Sequence, residues 1–238
     1  MIKRLIDIVF SLALLILASP AILLGMLAVA LHDGASPIYW APRVGRGGRD
    51  FRMAKLRTMT PDADRRGGSS TSRSDERITA PGRVLRRWKI DELPQFWNVL
   101  AGDMSLVGPR PNLRRGGIDL YTPEELRLLE VRPGITDLAS IVFSDEADIL
   151  DGAPDPDVAY DRLIRPWKSR LGLLYVDRRT IWTDLRIIAQ TALAVLAKPA
   201  ALHGVDRILA AWGAPETLRR VCRRQEPLPY AEPPGLAA

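Results

Sequence analysis

The chain has 238 residues, enough for one sizeable domain or a domain with appendages. Apolar residues make up 47% of it, an ordinary share for a packed core, and a formal charge of +6 asks for an anionic partner: nucleic acid, anionic lipid or nucleotide phosphate. Cys222 is the single cysteine, which excludes an intramolecular disulfide, and with only two distant histidines it argues against a structural zinc site.

The first element is an apolar run. Between residues 8 and 31 only Ser11, Ser19, Pro20 and Gly25 are not apolar. A straight helix of that length reaches about 36 Å, enough to cross a bilayer core of about 30 Å. Three readings compete. A cleaved signal peptide is suggested by Lys3, Arg4 and Ala28-Val29-Ala30, but the run exceeds the usual signal length. A simple spanning helix is opposed by Pro20, which removes a backbone donor, and by the flanking charges. Lys3 and Arg4 precede the run while Arg43, Arg46, Arg49 and Arg52 follow it, so neither side is favoured as cytoplasmic. A re-entrant helix over 1–34, broken at Ser19-Pro20 and returning to the same face, keeps both basic flanks near anionic headgroups. The third reading is preferred.

His32 to Pro37 then mark a turn, and Ile38-Tyr39-Trp40 suits a short strand or an interfacial aromatic belt. Residues 52–58 space cations as on a strand face, with Lys55 and Arg57 as candidate phosphate ligands. Gly45, Gly47 and Gly48 are followed by no GxxxxGK[ST], so a P-loop is rejected. Residues 61–77 are almost devoid of apolar side chains and predict a mobile surface loop or lid; Asp62 and Asp64 there read as solvated acids.

The spacing of Val84, Leu85, Trp88, Phe96, Trp97 and Leu100 predicts two helical pieces meeting near Pro94. Asp91 and Glu92 then fall just before a helix N-terminus, among Arg86, Arg87 and Lys89. Adjacent acids diverge, so they can divide labour: one binds a hard cation such as Mg2+, the other attacks phosphorus. Alone, such a pair is most often a surface feature or a helix cap. A short strand and the rigid Pro109-Arg110-Pro111 corner follow, preorganising Arg110 for bidentate contact with phosphate or a base edge.

KLRTM at 55–59, KIDELPQFWNVLAGDMSLVGPRP at 89–111 and RPGIT at 132–136 resemble the bacterial sugar transferases, and more narrowly the small monotopic phosphoglycosyl transferases. The likeness extends to the N-terminal KRLIDIVFSLALLILASP and to residues 175–196, covering about residues 1–198. It implies transfer of a sugar-1-phosphate from a UDP-sugar to undecaprenyl or another polyprenyl phosphate, with release of UMP. Carried onto this chain, it makes Asp91 the nucleophile of a covalent phospho-sugar intermediate and Glu92 a magnesium ligand. It puts Pro109, Arg110 and Pro111 near the nucleotide, and Arg86 in the site. It also implies the re-entrant helix and attachment to the cytoplasmic face of a bacterial inner membrane. One departure stands out. Most members continue after the RPGIT-like segment with Gly-Trp-Ala-Gln and an Asn-Gly-Arg stretch, whereas Ser144 falls where some relatives carry a phosphate-binding arginine. That departure lends some support to a non-catalytic membrane adaptor that kept the fold; intact Asp91, Glu92 and Arg110 speak against it.

In the C-terminal third, 151–157 reads as a loop, 173–176 as a short strand or helix entry, and 180–197 as a helix with one apolar face. Residues 205–224 predict a basic helix lying on anionic lipid, and the proline-rich end a disordered tail. The expected architecture is mainly α with short β elements (α+β): a membrane helix at 1–34, a cytoplasmic catalytic domain at 35–198, and a basic helix with tail at 199–238. A nucleic-acid partner is disfavoured, because no nucleic-acid-binding module is recognisable. Whether the chain acts alone or as a homodimer is left open.

Overall fold

The computed structural model describes residues 2–66, 71–72 and 74–236. It opens with α1 (Ile2–Asp33), a hairpin of β1 (Ile38–Val44) and β2 (Asp50–Leu56), the single turn α2 (Ala63–Arg66), α3 (Ala80–Arg87) and α4 (Gln95–Ala101). There follow β3 (Ser105–Val107), β4 (Gly134–Thr136), α5 (Leu138–Val142), α6 (Glu146–Ile149), α7 (Pro156–Leu163), α8 (Arg165–Arg178), α9 (Ile181–Leu196), α10 (Lys198–Ala211) and α11 (Glu216–Arg223). The α+β expectation therefore holds. β1 and β2 are antiparallel, running from Ile38 opposite Leu56 to Val44 opposite Asp50. β3 and β4 pair in parallel, Ser105 opposite Gly134 and Val107 opposite Thr136.

Most of α1 is bare. Leu17, Leu24 and Leu31 are among many exposed apolar side chains along it, and only Asp7, Ser11, Gly25 and Val29 are buried. It is long and apolar enough to cross a membrane. Near its start, Lys3 meets Asp184 at 2.6 Å, Arg4 donates to the carbonyls of Val99 and Leu100, and Asp7 accepts from Ser105 Oγ and Leu106 N. Near its end, Val29 packs with Leu56 and Leu85, and Asp33 receives two bonds from Arg57. Both ends thus rest on one folded body.

The break expected at Ser19-Pro20 is milder than an interruption, because helical residues run through both positions. Proline removes the donor that would serve the carbonyl four residues back. That carbonyl belongs to Ile16, and Ser19 Oγ donates to it at 2.7 Å. The serine restores the lost bond, as polar side chains do beside prolines in apolar helices.

The C-terminal half has one continuous core, from Leu106 and Val107 through α5, α8 and α9 to Leu218 and Cys222. Residues 173–176 lie inside α8. The helix expected over 205–224 is two, α10 and α11, and their apolar faces are buried in this core rather than turned to lipid. Nor is the proline-rich tail loose: Pro229 accepts from Trp167 Nε1 at 3.0 Å, Ala231 N donates to Arg162, and Pro234 accepts from Thr122 Oγ1. A periodicity argument sees the arginines of these helices but not the apolar groove that receives them. The expected loop at 61–77 is pinned at its base by the Met59–Ile78 bridge and carries α2; its residues 67–70 and 73 lie outside the described residues.

Candidate active site

α3 starts at Thr79, whose side chain accepts from Gly82 N, with Pro81 in the first turn. It ends at Trp88, and Lys89 then adopts a left-handed conformation (φ 55°) that any non-glycine residue takes at a cost. This reversal starts the tight turn Ile90–Glu92, which carries both acids, and Pro94 opens α4 directly after them. Both acids accordingly sit before a helix N-terminus, as expected.

Asp91 is buried, and its Oδ1 has no hydrogen-bond partner within the protein. Burial, then the neighbouring Glu92, push its pKa above the usual carboxylate range, against the pull of Lys55, Arg86 and Lys89. Glu92 takes the opposite direction. Burial alone would raise it, but Arg110 and Lys55 outweigh burial and hold it firmly ionised. Lys55 Nζ lies 3.3 Å from Glu92 Oε1, and Arg110 Nη2 bonds the same oxygen. The pair is thereby split into a carboxylate locked as an anion and one that holds its proton to higher pH.

Arg110 is set by the corner around it. β3 and β4 meet at Gly108 and Gly134, where a Cβ on Gly134 would lie 2.1 Å from the Gly108 nitrogen, so neither strand tolerates a side chain there. Past that contact, Arg110 N donates to Asp137 and Arg110 Nη1 to the Ile135 carbonyl at 3.3 Å. Pro109 lies against Gly172 of α8. Pro109 and Pro111 flank Arg110 and fix the backbone on either side of it. Arg86 is largely buried; its Nε donates to Thr58 Oγ1 at 2.8 Å, and Asp91 is the strongest charge offsetting its desolvation.

Arg57 is placed elsewhere. It forms a bidentate pair with Asp33 and donates to the Ser36 and Met59 carbonyls, clamping the end of α1 to β2. The structure thus gives Arg57, expected to bind substrate, a clamping position with no bond to either acid. β2 ends between Lys55 and Arg57, and that boundary sends the two cations to different partners. Asp64 accepts from Tyr39 and Asp62 pairs with Arg66, so neither joins the acids.

Asn98 was not among the sequence candidates. Its Oδ1 accepts from Ala54 N and its Nδ2 donates to the Arg52 carbonyl, both at 2.8 Å, fixing β2, and hence Lys55, against α4. A lone amide inside the apolar run Phe96–Leu100 was the available signal. Asp137 was also missed as a positioning group; it caps α5 through Ser140 N while accepting from Arg110 N. Among the described residues no group of three or more His, Cys, Asp and Glu forms a metal site. Glu92, held ionised beside Asp91, still fits Mg2+ in the mode where one carboxylate, substrate phosphate oxygens and waters make up the shell.

An acid pair ringed by Lys55, Arg86 and Arg110, beside a helix long and apolar enough to cross a membrane, is a charge arrangement suited to anionic substrates. Comparison with known proteins agrees. The model of the bacterial sugar transferase family matches residues 1–198, and the chain belongs to that family. A UDP-glucose:undecaprenyl-phosphate glucose-1-phosphate transferase of Caulobacter vibrioides is 35% identical over 197 residues, covering 82% of this chain and 69% of that protein. The uncharacterized sugar transferase EpsL of Bacillus subtilis is 36% identical over 194 residues, 82% of this chain and 87% of its own. An undecaprenyl-phosphate galactose phosphotransferase of Salmonella typhimurium is 35% identical over 214 residues, 84% of this chain but 41% of its own length.

Proposed function

We propose that the chain transfers a sugar-1-phosphate from a UDP-sugar to a polyprenyl phosphate, releasing UMP, in two displacements at Asp91. The observation that carries this is the divided acid pair: one buried carboxylate with a vacant oxygen beside another pinned by Lys55 and Arg110. In the first displacement an Asp91 oxygen attacks the phosphorus bearing the sugar. An acyl phosphate bond forms, the bond to the UMP oxygen breaks, and UMP departs. In the second, an oxygen of the lipid phosphate attacks the same phosphorus and the Asp91 carboxylate is regenerated. Arg110 and Arg86 offset the charge gathering on the phosphates, and burial keeps water from the acyl phosphate. Mg2+, held by Glu92 with substrate oxygens, would supply further charge neutralisation. The transfer itself, without the mechanism, is what two relatives' names specify, with glucose in one and galactose in the other.

The reading includes a monotopic placement, with α1 entering the cytoplasmic leaflet and returning. Two features support it. Lys3 to Asp7 and Val29 to Asp33 both bind the same body, which a helix crossing at right angles would not allow. At Ser19-Pro20, where the helix stays continuous, Ser19 Oγ replaces the bond that the proline removes, so the position is satisfied within apolar surroundings. Incubating the full chain with Mg2+, polyprenyl phosphate and a panel of UDP-sugars, and measuring UMP, tests the transfer. Release that needs Asp91 supports it; no UMP from any donor would refute it.

A further inference from the structure

The family match ends at residue 198, yet a second cationic site lies at that boundary. A cavity of about 380 Å³ opens between the start of α10, the end of α11 and the turn at Asp145. Lys198, His203, Arg223 and Arg224 line it, with Asp145 as its carboxylate. Arg223 is already engaged by Glu216 at 2.6 Å and Asp206 at 3.4 Å. Lys198 at 3.0 Å and Arg224 at 3.2 Å share Asp145 alone, so two full cations face one anion. Arg224 is held in place by the Phe143 ring, 5.8 Å from its guanidinium carbon. It also occupies a left-handed backbone position (φ 53°) where glycine would cap α11 without strain. An arginine kept there, half of a charge-excess pair in a ligand-sized concavity, is arranged for an anion.

We propose that this pocket binds a phosphate group, carried by a phospholipid headgroup or free as a small phosphate ester. The lipid source is favoured by the flank. Val195 and Leu196, three and two residues before Lys198, are 79% and 87% exposed, an apolar rim that acyl chains would cover. The site lies just after Ser144, where the chain departs from its relatives' pattern, and it draws both of its arginines from beyond the family-matched segment.

The test uses the detergent-solubilised full chain with two probes: phosphatidylglycerol retained in native mass spectrometry, and inorganic phosphate titrated by calorimetry. The double variant Lys198→Gln, Arg224→Gln should bind phosphatidylglycerol about tenfold more weakly, the loss expected for charge-assisted bonds. Arg224→Lys should retain most of the binding, and Arg207→Gln, an exposed charge outside the pocket, should retain all of it. Comparison with wild type removes any phosphate bound near Arg110. A loss confined to inorganic phosphate would keep the site and identify the free ester as its ligand. Unchanged binding of both probes by the double variant, with an unchanged melting temperature, would overturn the proposal; so would an equal loss in Arg207→Gln. If the double variant does not fold, Lys198→Gln alone carries the same comparison.

Discussion

The two halves of this molecule are held together by different forces. From Leu106 to Cys222 the helices share one large apolar core, with Leu171, Ile187 and Leu209 fully buried, and a smaller cluster of Leu128, Leu173 and Val176 beside it. The half that carries the acids has only small apolar clusters, such as Ala41, Met53, Val99 and Met104, or Val29, Leu56 and Leu85. Polar clamps complete it: Asn98 on β2, Asp7 on β3, Arg57 on Asp33, Lys3 on Asp184. Apolar burial is nondirectional and adds with area, which suits a scaffold. Hydrogen bonds are directional, which suits a site that must hold Lys55 and Arg110 against one carboxylate oxygen.

The sharpest break in that contrast is expected at Asp91. Asp91→Asn should lower UMP release at least about a thousandfold, the scale on which a lost nucleophile acts. Its melting temperature should not fall, because the folded state disfavours the Asp91 charge and asparagine carries none. A variant that is both inactive and unfolded would mean that Asp91 is structural. In the scaffold half, Leu171→Ala should cost about 3–4 kcal/mol of unfolding free energy, read from denaturant melts, with activity following stability alone. Asn98→Ala should cost less, about 2 kcal/mol for a backbone donor and acceptor left unmet, yet depress activity beyond the loss of folded protein, since Lys55 loses its mount.

The smaller effects concern pH. Asp91 attacks only as an anion, and its pKa lies above the ordinary carboxylate range, so activity should fail on the acid side at higher pH than an exposed aspartate would give. Lys55→Met removes a charge that lowers that pKa and should move the acid limb further upward. Asp33 is the smallest case. The Arg57 hydrogen bonds hold its pKa down to about 2, from 3.8. A depressed carboxylate stabilises the fold above its unfolded pKa and loses that contribution as pH falls through the folded one. The α1 clamp should therefore loosen between about pH 4 and 2, seen as proteolysis near Gly34 that Asp33→Asn shows already at neutral pH.

The acid pair, the cations at Lys55, Arg86 and Arg110, the helical pieces around Pro94 and the apolar N-terminal helix were all legible in the sequence. Each rests on local chemistry or spacing within about one turn of chain. The divergent fates of Lys55 and Arg57 were not legible, since two residues of separation on a strand end do not say which surface each meets. Nor was the burial of α10, α11 and the tail, because α10 lies on α5 as well as on its neighbour α9, α11 reaches α8, and the tail bonds Thr122, Arg162 and Trp167, groups far away in sequence. Residue identity determined which groups were able to do chemistry. The tertiary structure alone decided which carboxylate would stay ionised, through burial set against cations brought from 37 and 18 residues away.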